Sequence, residues 1–141
     1  MRIAVVDGMG GGLGAQIITK VKPLLSDKDE ILALGANAIA TAAMIKAGAA
    51  LGATGENAVW LNVGKTDLIL GPVGIAIPHS LLGEITTRMA EAVALSSAIK
   101  ILIPTNQTQG HFYLAGAEIS GLNAALEDLV DRVRQLIEKE S

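Results

Sequence analysis

Apolar runs alternate along this chain with segments of helical periodicity. Ile3–Asp7 is a continuous apolar stretch rich in β-branched residues, the pattern of a strand covered on both faces in a parallel sheet. Across Gly12–Lys22, the side chains of Leu13, Ile17, Ile18 and Val21 fall on one helical face, and Pro23 stops the helix. After the polar run "SDKDE", a second short strand is expected over Ile31–Leu34. Asn37 is placed to cap an alanine-rich helix over Ala38–Leu51, with Gly52 as its terminator. Gly55–Gly64 reads two ways. Val59, Leu61 and Val63 alternate as in a strand, but Thr54 is a good cap, and Ala58, Leu61 and Val63 also share a helical face. Helix keeps the α/β alternation, because a strand over Asp67–Leu70 follows, ending in Gly71-Pro72.

The pattern continues with a helix over Glu84–Ser96 and a strand over Lys100–Ile103 closed by Pro104. A polar loop, "TNQTQG", and a short strand over Phe112–Leu114 come next. Ser120 then caps a long helix with Leu122, Leu126, Leu129, Val133 and Leu136 on its buried face. Strands separated by helices lie parallel, through right-handed crossovers. The expected fold is a compact Rossmann-like three-layer α/β/α sandwich with a mainly parallel sheet and Phe112–Leu114 as an antiparallel edge. No repeat or linker divides residues 1–141, so one domain is expected.

Composition narrows the classes. Only 18% of the residues are charged, the net charge is -3 and no basic stripe occurs, which argues against a nucleic-acid partner. With no cysteine, disulfides, thiolate metal sites and cysteine nucleophiles are excluded. "MRIAVVD" enters a strand without the features of a signal peptide, and no apolar run is long enough for a membrane span. A cytoplasmic protein without a membrane partner is the expectation. The aromatics are Trp60, Phe112 and Tyr113 alone, so the core must be aliphatic.

Candidate chemistry begins at "VVDGMGGGLGAQII", residues 5–18. In this fold class ligands bind at the carboxyl ends of the strands, where the first strand–helix turn lies. Without Cβ atoms, backbone N–H groups can approach a phosphate, and the positive end of the following helix adds attraction. A tight turn without a ligand would use the same residue types. The candidate ligand-binding set is Asp7, Gly8, Met9, Gly10, Gly11, Gly12, Leu13 and Gly14. Gly35 and Asn37 join it after the second strand, and Gly71, Pro72 and Gly74 after the central one. An anion is expected on the N–H groups of Gly10–Gly14.

Gly10, Gly12 and Ala15 fit the dinucleotide fingerprint G-x-G-x-x-A. "DGMGGGLG" resembles the TGxxxGxG turn of the short-chain dehydrogenases, with Asp7 in place of threonine and Gly8, Gly12 and Gly14 matching. That resemblance implies a nucleotide or dinucleotide such as NAD(P). Two departures separate the chain from the activity. No acid occurs from Ile31 to Gly55 to hold the ribose hydroxyls, and the residue four after Tyr113 is Ala117 where the catalytic lysine would stand. Turnover through Tyr113 is not expected. No Gly-Lys-Ser/Thr follows the glycines, so a P-loop is excluded.

Over nearly its full length the chain resembles a family of short bacterial proteins catalogued as a domain of unknown function. "VVDGMGGGLG", "LALGANAIATAAMIKAGA", "GATGENAV", "DLILGPVGIAI", "SLLGEIT" and "KILIPTN" carry the likeness up to Asn106. The resemblance implies a Rossmann-like fold and no defined activity.

Other residues have two readings. Glu56 and His79 could serve as acid or base, or be a dipole-favoured helix start and an ordinary surface residue. His111, beside Phe112 and Tyr113, could stack on a ligand or lie at an interface, and no metal-ligand spacing is present. The small-sided helix Ala38–Leu51 and the Phe112-Tyr113 edge each offer a surface to a second copy, so a homodimer is expected. Three functions follow. A nucleotide- or phosphate-ligand-binding sensor or accessory protein leads; a small NAD(P)-dependent oxidoreductase or other nucleotide-using enzyme and an interaction protein without ligand are the alternatives.

Overall fold

A computed structural model describes residues 1–105 and 112–140, with backbone alone at 117–120. Among the described residues five strands form one sheet: β1 (Arg2–Asp7), β2 (Glu30–Gly35), β3 (Leu51–Thr54), β4 (Leu68–Pro72) and β5 (Ile99–Ile103). Their order is β3-β2-β1-β4-β5, and every pairing is parallel. Helices α1 (Gly12–Val21), α2 (Ala38–Ala47) and α5 (Ala117–Glu140) cover one face, and α3 (Glu56–Asn62) and α4 (Thr87–Leu95) cover the other. Alternation along β1 explains the three layers. Ile3 and Val5 pack with Ile17, Met44 and Leu129 on one side, while Ala4 and Val6 pack with Val59, Ile69 and Met89 on the other. The core is aliphatic, and Trp60, Phe112 and Tyr113 are all exposed.

Several sequence expectations need correction. Helix α2 ends at Gly48, whose φ of 127° puts the chain in a conformation that glycine accepts and whose N–H donates to the carbonyls of Met44 and Ile45. Gly52 is no terminator; it lies in edge strand β3, where a Cβ would stand 2.5 Å from Ile45 Cδ1. Helix α4 starts at Thr87, because Thr86 accepts the Met89 N–H and the preceding residues close a turn in which His79 N–H donates to the Ile85 carbonyl. Phe112–Leu114 forms no strand, so no antiparallel edge exists among the described residues. Gly121, at φ 75°, breaks α5, and Leu122 is exposed rather than on the buried face that Leu126, Leu129 and Val133 share. The Ser120 side chain and His111 lie outside the described residues. Among the described residues no helix is long and apolar enough to cross a membrane.

Candidate functional site

The chain winds outward from β1 through β2 to β3 on one side, and from β4 to β5 on the other. The crossovers diverge between β1 and β4, which makes that gap the topological switch point where open parallel sheets bind ligands. A cavity of about 270 Å³ lies there. Asp7 and the loop Gly8–Leu13 form one wall, Gln16 and Pro72 flank it, and Leu81, Thr105 and Leu122 complete it. Lys, Arg and His are absent from its described lining.

The glycines of the loop divide into two groups. At Gly8 a Cβ would stand 2.9 Å from Glu84 Oε1; at Gly14 it would stand 2.6 Å from Met44 Sδ. Gly11 has φ 73°, and its Cβ would lie 2.7 Å from the Ala40 Cα. Gly11 is required by its left-handed backbone and the α2 backbone against it, while at Gly8 and Gly14 a Cβ would have to displace the Glu84 and Met44 side chains. Gly10 and Gly12 are different: among the described residues nothing lies within 4 Å of a Cβ at either position, and both line the cavity. The described residues give no packing reason for glycine at these two positions.

The loop's N–H groups divide in the same way. Buried Asp7 accepts from Gly8 N–H at 2.8 Å through Oδ1 and from Gly14 N–H at 2.7 Å through Oδ2. Gly11 N–H donates to the Gly8 carbonyl, and Met9 N–H donates to Glu84 Oε1. The N–H groups of Gly10, Gly12 and Leu13 have no acceptor among the described residues, and all three residues line the cavity at the start of α1. Burial pushes the Asp7 carboxyl above its ordinary range; the bonds from Gly14 and Gly8 oppose the rise, and the charge of Glu84 adds to it.

Glu84 is the functional-site neighbour that sequence reasoning missed. No acid follows β2 in sequence, yet Glu84 arrives there in space from the segment after β4. Its Oε2 accepts from Asn37 Nδ2 at 2.6 Å, and the same amide donates to the Met9 carbonyl at 2.9 Å. Asn37 also caps α2, as its sequence suggests, by accepting the Ala40 N–H at 2.8 Å.

The remaining candidates fall outside the cavity. Gly35 is packed against Thr41, and Gly71 against the Val6 carbonyl, with no room for a Cβ at either. Gly74 accepts the Ser80 hydroxyl through its carbonyl. Glu56 is bound by the Thr86 hydroxyl at 2.7 Å, and His79 is an exposed turn residue at φ 67°. Neither reaches the cavity lining. Among the described residues no group of three potential metal ligands is present.

Residues 2–138 match the family described as Domain of unknown function (DUF3842). No curated protein matches the chain. Among solved structures, a dodecameric FMN-dependent Ubix-like decarboxylase from Escherichia coli O157:H7 is similar, with a TM-score of 0.52 and 14% sequence identity over 98% of this chain and 94% of that one. At that identity the likeness establishes the parallel α/β fold and leaves the chemistry to the site itself.

Proposed function

We propose that this chain, which belongs to the DUF3842 family, binds a small phosphate-bearing ligand of the mononucleotide class, flavin or adenine, at the β1/β4 switch point. The carrying observation is the coincidence of two features at Gly10 and Gly12. Packing leaves their Cβ positions open, and their N–H groups, with that of Leu13, lack an acceptor among the described residues. A phosphate at the positive end of α1 would supply one. FMN enters the proposal because the similar decarboxylase is FMN-dependent. A dinucleotide such as NAD(P) is less well supported, since the loop's other flank is filled by Asn37 and Glu84. The proposed role is that of a sensor or accessory protein. An enzymatic role has one observation in its favour: Asp7 presents to the cavity a carboxyl whose proton is held more tightly than usual.

A thermal-shift panel of FMN, FAD, AMP, ATP, NAD, NADP and coenzyme A tests the reading. A ligand specific for the native state raises the melting temperature by mass action. At least one mononucleotide should do so; a panel with no response at millimolar concentration contradicts the proposal.

The proposal extends to self-association. Helix α2 is apolar on nearly every side and leaves Ile39 and Ile45 exposed, and Leu51 of edge strand β3 is exposed as well. The similar decarboxylase is dodecameric. Light scattering coupled to size exclusion should give a mass of two or more chains at micromolar concentration. A mass near 14.5 kDa that persists on tenfold concentration counts against self-association.

A further inference from the structure

We propose that the free edge of β5 and the flank of α5 beside it form a two-fold interface with a second copy of this chain, β5 pairing antiparallel with β5 and α5 with α5. The surface lies apart from α2 and β3, and the inference does not rest on the ligand reading. Among the described residues β5 has one neighbour in the sheet, β4. An open edge strand offers unpaired N–H and C=O groups to another chain unless a charge, a proline or a covering element blunts it. Here the charge is withdrawn: Lys100 Nζ donates back to the carbonyls of Ser96 at 2.6 Å and Ala98 at 3.0 Å. Proline comes only after the strand, at Pro104, and Ile99 is 51% exposed at its start. A groove of about 840 Å³ runs between this edge and α5.

The charges along the groove commit it to a second copy. Asp128, Arg132, Gln135 and Lys139 line it as one stripe of α5, spaced four, three and four residues apart, and all are exposed. That spacing reads the same from either end. Two α5 helices laid antiparallel therefore set Asp128 opposite the partner's Lys139, and Arg132 opposite the partner's Gln135, twice over. Within the chain Asp128 pairs with Arg132 at 3.1 Å, while Lys139 has no ion pair among the described residues. One axis serves helix and strand together. The last turn of α5 lies beside Met1 and Ile99, at the amino-terminal end of the strands, so α5 runs back along β5. The middle of the strand then lies alongside the middle of the stripe. A two-fold axis normal to the sheet at Ile101 continues the sheet of one copy into that of the other and places both α5 helices side by side on one face. Ile99 would meet the partner's Ile103 beneath them. The apolar stems of Arg132 and Lys139 would fill the facing grooves.

Charge reversal tests the interface, read by light scattering coupled to size exclusion across a dilution series. The parent should run at the mass of two or more chains. Lys139→Asp places an acid opposite the partner's Asp128 and should raise the dissociation constant roughly tenfold or more, because like charges facing one another across an interface are costly. Adding Asp128→Lys to the same chain reverses both ends of the stripe and should restore the parent's assembly. Circular dichroism melts establish that the variants fold; both positions are exposed, so the midpoints should stay near the parent's. A parent that runs as a single chain overturns the inference. So does a folded Lys139→Asp that assembles like the parent, which would leave α2 and β3 as the contact. A loss of assembly that Asp128→Lys does not repair overturns it too, since the antiparallel pairing requires the repair.

Discussion

Alanine in place of Gly35 is expected to lower the stability of the fold by about 3 kcal/mol or more, the upper range for overpacking a closed site. Gly35 ends β2 where α2 begins. An added Cβ would collide with the Thr41 hydroxyl and stand 2.6 Å from Thr41 N and 2.7 Å from the Asn37 carbonyl. Two of these three neighbours are backbone of the first turn of α2. That turn cannot retreat cheaply, because it is tied by the Asn37 cap and by the Thr41 hydroxyl, 2.7 Å from that of Thr54. Gly10→Ala and Gly12→Ala meet open space and should stay within about 0.5 kcal/mol of the parent. Urea unfolding followed by circular dichroism measures all three. A Gly35→Ala loss as small as that of Gly10→Ala would show that α2 does not pack as described.

Asp7→Asn is the second large effect, at about 2–3 kcal/mol in acid, the cost of stranding a buried donor. Both Asp7 oxygens accept a backbone N–H, and the residue is only 5% exposed. A protonated carboxyl still offers a lone pair on each oxygen; an asparagine nitrogen offers none and would face an N–H with its own hydrogens. The pH dependence follows from the raised pKa of Asp7, whose largest cause is burial. A native state that holds this proton more tightly than the unfolded chain gains stability that is complete below the ordinary value of 3.8. That gain is lost as pH rises through the folded value. The gap between parent and Asp7→Asn should therefore be widest in acid and narrow toward neutrality. Asp29 titrates in the opposite sense: its bond from the amino terminus at 2.8 Å holds its carboxyl below the ordinary range. Denaturant midpoints of parent and Asp7→Asn across pH decide the matter, and a gap that widens with rising pH contradicts the assignment.

The elements legible from sequence were those whose burial leaves a local signature. Ile3–Val6 is covered on both faces and reads as an unbroken apolar run. Asn37 announces a helix start because its side chain satisfies a nearby N–H group. Thr86 caps α4 in the same way, although the sequence pattern places that start at Glu84. Strand β3 left no such mark: Leu51, Gly52 and Thr54 are exposed, so the strand is fixed by pairing with β2 rather than by burial. Phe112–Leu114 misled for the converse reason, since three apolar residues look like a strand whether or not a neighbour pairs with them. Leu122 obeys the helical period of Leu126 and Leu129, but Gly121 resets the chain just before it.

At the site, local chemistry was legible and distant chemistry was not. The glycine run points to the loop because strand, turn and helix adjoin in sequence. It does not say that Gly8, Gly11 and Gly14 answer to Ala40, Met44 and Glu84, each brought there by tertiary packing. Glu84 stands 75 positions from the Met9 N–H it accepts. One topological signal pointed to it: an acid after the central strand lies at the carboxyl edge of the sheet, beside the end of β1.

The central claim is that Gly10 and Gly12 are glycines for a ligand's sake. Calorimetric titration of parent and Gly12→Val with whichever mononucleotide stabilises the parent tests it most directly. The Cβ of the added side chain meets no described residue within 4 Å, and the position lines the cavity where a phosphate would approach. The variant should unfold at the parent's denaturant midpoint and bind at least tenfold more weakly, about 1.4 kcal/mol. A folded Gly12→Val that binds as tightly as the parent contradicts the account.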